Sequence, residues 1–139
     1  MNKLLLSVVL GCWAAVAGAD PARVVFDYQM NCQGCHTPDG SGVGSVPEMK
    51  GHVGVFLQSQ RGREYLVRVP GSATSALDDE RLAAVLNWII RQFAGASVSI
   101  PFEPYTAAEV GLLRQRPLNE TDEYRQKLLT EIASSEARE

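Results

Sequence analysis

Side chains able to bind a metal are scarce in this 139-residue chain, which holds three cysteines, two histidines and three methionines. Apart from one Cys-x-x-Cys pair the only cysteine is Cys12, near the N-terminus, so a four-ligand zinc site built from two pairs lacks half its donors. No stripe of lysine and arginine is present and the formal net charge is -3, which disfavours nucleic acid as a partner. No strictly apolar run reaches the ~20 residues that a membrane span needs. Internal repeats and low-complexity tracts are absent. No βαβ pattern of the thioredoxin kind surrounds the Cys-x-x-Cys pair. What remains is one small domain with an appendage.

The first 19 residues stand apart. Lys3 gives a charged start, Leu4 to Leu10 an apolar core, and Ala17-Gly18-Ala19 a small-residue cleavage site before Asp20. Segment 1–19 therefore reads as a secretory signal peptide, in preference to a retained anchor. Val9-Leu10-Gly11-Cys12 loosely resembles a lipoprotein box, although Leu10 is bulky for that position. Without Lys3 the chain carries 12 basic and 16 acidic side chains.

The informative run is Cys32-Gln33-Gly34-Cys35-His36. Two thiols separated by two residues match the two vinyl groups on one edge of a haem, and the next histidine offers its imidazole to the iron. One covalent haem c is expected, with Cys32 and Cys35 as thioethers and His36 as the proximal iron ligand. Both remaining thiols would then be consumed.

The rest reads as helices and turns. Asp20-Pro21 is a helix start, with Asp as N-cap and Pro at the first position, and the helix should run to about Asn31. Phe26 and Met30 share a face and are expected to pack inward. Thr37 to Pro47 is rich in turn residues and should wrap the proximal side of the haem. A short helix is expected from Arg61 to Val69, with Tyr65 and Leu66 in the core. Arg61, Arg63 and Arg68 are either propionate partners or solvated surface. Asp78 to about Phe93 is the clearest helix. It has Asp78 as cap, Leu77 and Leu82 as a hydrophobic staple, and Leu82, Val85, Leu86, Ile89 and Phe93 on one face. It should cross the first helix near Phe26. Gly95 to Tyr105 reads as a linker. Thr106-Ala107-Ala108-Glu109 is a capping box with Tyr105 and Val110 as its staple. A last helix is expected from about Glu120 to Ala133 with Asn119 as cap. Leu112, Leu113, Leu128, Leu129 and Ile132 either pack this tail on the core or dock a partner.

On these residues the chain resembles a bacterial mono-haem c-type cytochrome of the class I kind. The resemblance is carried by the haem motif, by Asp39-Gly40-Ser41-Gly42, by Pro47-Glu48-Met49-Lys50-Gly51 and by Leu82-Ala83-Ala84-Val85-Leu86-Asn87-Trp88-Ile89. It covers about residues 22–94. It implies an all-α, cytochrome c-like fold around one covalent haem, with the cytochrome domain at 20–95 and a linker and helical extension at 96–139. It also implies that the Pro47 carbonyl fixes the imidazole of His36 and raises its donor strength. The departure is the sixth iron ligand. Relatives supply a methionine from the loop before the last helix, but Val67 to Asp79 contains neither methionine nor histidine. Met49 stands where the family has a leucine packed on the porphyrin. The alternatives are an open or water-occupied site, Met49, His52, or else Lys50 or a group from another chain.

The function that follows is electron transfer without enzymatic turnover. An exported, periplasmic carrier would pass single electrons from a dehydrogenase or quinol-oxidising complex to an oxidase or other acceptor, through small transient contacts. An open iron would instead admit a diatomic gas or peroxide, although no peroxidase-like acid–base pair stands in the distal loop. A third reading keeps the chemistry but lets the tail hold the protein on a dehydrogenase as a subunit.

Overall fold

Asp20 and Pro21 start the first helix as their chemistry requires. In the computed structural model, which describes residues 20–98 and 102–138, α1 spans Pro21–Asn31 and the Asp20 carboxylate accepts the Ala22 N–H at 3.1 Å. The expected signal peptide, 1–19, lies outside the described residues. A single turn, α2 (Gln33–His36), follows α1 directly. After a long loop come a 3₁₀ segment (Val53–Gln58), α3 (Gln60–Arg68), the one-turn α4 (Pro70–Ala73) and the 15-residue α5 (Asp79–Phe93). The chain closes with α6 (Ala107–Leu113) and α7 (Thr121–Glu136). No strand occurs among the described residues, and no helix among them is long and apolar enough to cross a membrane.

Helix α5 is the spine. The Asp78 carboxylate accepts the Arg81 N–H at 2.8 Å, Asp79 and Glu80 sit in the first turn where the helix dipole favours them, and Arg91 sits in the last. Leu77 and Leu82 are both buried, as a staple demands, and Leu82, Val85, Leu86, Ile89 and Phe93 form the buried stripe.

Helix α1 crosses this spine at Tyr28, not at Phe26. The Tyr28 ring lies 4.9 Å from Trp88 and 5.6 Å from Phe93. Phe26 and Met30, expected to point inward, are 51% and 67% exposed. The inward stripe is Val24, Asp27 and Tyr28, and at 100° per residue Phe26 and Met30 stand about 200° round the helix from Tyr28. An aspartate in the stripe conceals the true phase from a hydrophobicity reading. Asp27 is buried because the Arg81 guanidinium reaches it from α5, with Nε 2.9 Å from Oδ2, while Arg23 supports it from its own helix.

The tail folds back on the core. The buried Asn87 side chain on α5 makes two hydrogen bonds to the Tyr105 backbone, donating at 2.9 Å and accepting at 2.8 Å. Arg63 makes a two-pronged bond to the Glu109 carboxylate (2.6 and 2.7 Å), donates to the Glu103 and Pro104 carbonyls, and lies over the Tyr105 ring. Arg68 donates to the Arg116 carbonyl and Arg61 pairs with Glu131. The three arginines read as propionate partners or solvated surface therefore fasten the tail instead. Arg63 also explains why the capping box at α6 is only half made. Thr106 Oγ1 accepts the Glu109 N–H at 3.2 Å, but the Glu109 carboxylate is turned to the arginine. Helix α7 starts at Thr121 with Glu120, not Asn119, in the cap position and no side-chain cap bond. Leu113, Leu128 and Ile132 are buried, Leu129 is half-buried and Leu112 is exposed, so most of the tail's apolar side chains are used internally.

Candidate metal centre

The site begins where α1 ends. Cys32 closes α1 by donating its N–H to the Tyr28 carbonyl, and the one turn of α2 then returns the Cys35 and His36 N–H groups to the Cys32 carbonyl at 3.1 and 3.0 Å. Residues three and four apart share one face of a helical turn. That is how two thiols and an imidazole from five consecutive residues come to face the same cleft.

The loop that follows is held in place from both sides. Tyr28 Oη donates to the Thr37 carbonyl at 2.6 Å, and Thr37 adopts a φ of 56°, strained for a β-branched residue. Gly40 has a φ of 82°, and a Cβ there would strike the Phe93 ring at 2.8 Å; at Gly42 it would strike the Val46 carbonyl oxygen at 1.7 Å. Only glycine lets this loop lie so flat. The fold brings the Pro47 backbone to the imidazole of His36. His36 Nδ1 is the one buried side-chain nitrogen or oxygen among the described residues that lacks a hydrogen bond of good geometry. Burial pushes the imidazole's pKa down, and the Pro47 carbonyl pushes it part of the way back up. A neutral ring, directed from behind by a carbonyl, is the form in which histidine binds a metal.

These residues open on a largely apolar cavity of about 310 Å³, at the small end of the roughly 300–1,000 Å³ typical of ligand sites. Cys32, Cys35 and His36 line one part of it and Val46, Pro47 and Met49 continue that wall. Leu66 and Val69 from α3 and its end, with Leu82 and Leu86 from α5, supply much of the rest.

The donor set fits a haem better than a bare ion. No group of three or more His, Cys, Asp or Glu side chains converges among the described residues, so a metal held by protein ligands alone is short of them. An iron carried in a macrocycle needs only one or two axial donors. Burial, with the nearby charges of Asp27 and Cys35, pushes the Cys32 thiol up to about 11, so Cys32 is not held as a reactive thiolate.

The remaining candidates separate. Met49 is half-buried, packs against the core and lines the cavity. His52 does not line it: the side chain is 62% exposed and Nδ1 lies 2.8 Å from the Lys50 carbonyl oxygen and 3.9 Å from Glu48. Lys50 faces Asp39 at 3.3 Å.

The sequence did not place α7 at the site. Its first turns carry Thr121, Asp122 and Arg125 to the rim of the cavity, and Arg125 has no ion pair among the described residues. Its guanidinium sits 5.8 Å from the Phe56 ring centroid. No local signal marks an arginine more than eighty positions beyond the haem motif as part of the site. It is the side chain suited to a propionate, with Asp122 of opposite sign beside it. Arg125→Gln should lower the reduction potential by roughly 20–50 mV, since loss of a nearby cation favours the ferric form. Arg125→Lys should restore most of it. Spectroelectrochemical titration checks this, and an unchanged potential would place the charge away from the haem.

No protein-family model matches the chain. Two curated relatives do, both named Cytochrome c-552 and both from Thermus thermophilus. One is 34% identical over 137 residues, covering 85% of this chain and 90% of the relative. The other is 37% identical over 119 residues, covering 72% and 88%. The all-helical fold, the thiol pair and the half-buried imidazole of His36 among the described residues agree with that likeness, which supports a haem c electron carrier. The chain belongs to the mono-haem c-type cytochromes and carries one covalently bound haem c.

Proposed function

We propose that this chain is a periplasmic one-electron carrier, taking electrons from a dehydrogenase or quinol-oxidising complex and giving them to a terminal acceptor. Cys32 and Cys35 hold the haem by thioether bonds, and His36 is the proximal ligand. The bound haem supplies one-electron chemistry by cycling between ferrous and ferric iron. The protein's residues set how easily it does so. Pro47 directs the imidazole, the aliphatic wall keeps water from the cofactor, and Arg125 stands at the rim.

The observation that carries the reading is the wall of the cavity. His36 is its only histidine, and the side chains that α3 and α5 bring to the site are aliphatic except for Tyr65, so no second histidine is placed there as an acid–base catalyst. Export is supported by the residue pattern of 1–19. The net charge of -3 favours a basic docking face on the partner.

The test is electron exchange between purified ferrous holoprotein and membranes of its own cells, followed by stopped-flow absorbance. Oxidation that is second order and slows with added salt is expected. Failure to exchange electrons, or turnover of peroxide at enzymatic rates, would sink the carrier reading. Fractionation of the cells should place the haem in the periplasm, and co-purification with a dehydrogenase would replace a transient carrier by a resident subunit.

A further inference from the structure

We propose that the sixth position of the haem iron in this chain lies open, and that it binds a small neutral diatomic ligand of the carbon monoxide or nitric oxide class. This goes beyond electron transfer, and it rests on the covalent haem rather than on any partner.

Few side chains among the described residues could serve as a sixth ligand. Three methionines and two histidines are present, and His36 is already used. Met1 lies outside the described residues, in the segment read as a cleaved leader. Met30 points to solvent from the outer face of α1, His52 is held outside the cavity by its contacts with Lys50 and Glu48, and Lys50 is turned to Asp39. Tyr65 reaches the cavity, but its ring is stacked between Phe56 (4.8 Å) and Tyr124 (6.0 Å) in a second core cluster. Only Met49 remains.

Met49 is built into the wall that backs His36. It follows Pro47 by two residues, its N–H donates to the Gly40 carbonyl at 2.8 Å, and its carbonyl accepts the Val53 N–H at 2.8 Å. Main-chain bonds on both sides hold it there. Anchored two residues from the proline that backs His36, its thioether would pack on the same side of a bound haem as the imidazole and would not reach across it.

The end of α3 and the turn towards α5 also line the cavity, with Leu66, Val69 and Pro70 beside Leu82 and Leu86 of α5, and these are the side chains that would cover a bound haem opposite His36. The turn is short and strapped. Arg114 from the tail donates to the carbonyls of Ala73 (3.2 Å), Ser75 (2.6 Å) and Leu77 (2.8 Å). A segment bound at three successive alternate carbonyls cannot swing a distant side chain onto the iron. Hydrocarbon walls admit a neutral diatomic molecule at little cost and penalise a buried anion without a partner.

The deciding experiment is the absorption spectrum of ferrous holoprotein under carbon monoxide, with electron paramagnetic resonance of the ferric form. A high-spin ferric signal and saturable binding of one carbon monoxide per haem are expected. Met49→Leu should change the affinity by less than about threefold. A low-spin wild-type haem that ignores the gas overturns the proposal. If Met49→Leu then binds it, Met49 is the sixth ligand; if neither does, another group is. The wild-type spectra decide the matter even should the variant fail to take up haem. Gas binding without electron exchange would remove the carrier reading and keep this one, and the reverse result would do the opposite.

Discussion

Protein in which Cys32 and Cys35 are both replaced by alanine should lose its haem to acidified organic solvent, while the wild type keeps it through the same extraction. Thioether bonds survive that treatment, whereas a His–iron bond and apolar contacts do not. One helical turn places the two sulfurs and the imidazole on a common face, so removing the sulfurs leaves His36 and the Pro47 carbonyl where they are. The double variant should therefore still take up haem reversibly, in an apolar cavity whose lining is otherwise unchanged. Single replacements should leave one bond and shift the pyridine haemochrome band part of the way toward that of free haem. Haem that stayed with the double variant after extraction would remove Cys32 and Cys35 as the attachment points.

Much of this centre was legible because its determinants are local. The haem motif is five consecutive residues, and Asp20-Pro21 and Leu77-Asp78 announce helix starts through bonds that span two or three positions. The fold class followed from those helices and from the resemblance they supported. What was not legible depends on partners far along the chain. Arg63 reads as a surface cation until Glu103, Pro104 and Glu109 are folded against it, forty and more positions away. Arg125 joins the cavity only because Leu128 and Ile132 pack α7 into a second cluster with Phe56 and Tyr65. The phase of α1 was misread for the same reason: Asp27 is tolerable inside only once Arg81, 54 positions later, lies over it.

That aspartate is where the helical core is most sensitive to a single atom. Asp27 is 2% exposed, accepts hydrogen bonds from Arg81 and Arg23, and joins α1, which delivers the haem cysteines, to α5, which lines the cavity. Breaking a buried pair from one side typically costs about 3–5 kcal/mol. Arg81 is 35% exposed here and can be rehydrated, so Asp27→Asn should cost about 2 kcal/mol at pH 7, below that range. The sign with pH follows from the direction of the carboxyl's shift. The hydrogen bond from Arg81, with the charges of Arg81 and Arg23, holds Asp27 below its usual range despite its burial. A depressed folded-state value contributes stability that is complete above the unfolded value, near about 3.9, and is lost as pH falls through the folded one. The gap between wild type and Asp27→Asn should accordingly be constant from about pH 5 to about pH 8 and narrow as pH drops below the unfolded value of about 3.9, so that it is smaller at pH 3 than at pH 7. Urea unfolding of both holoproteins by circular dichroism at pH 7 and pH 3 measures it. A gap of equal size at the two pH values would mean that the cost comes from packing around the introduced amide and not from the lost charge. No gap at either would mean that the arginines are content in water, and that Tyr28 with Trp88 and Phe93 is what holds α1 on α5.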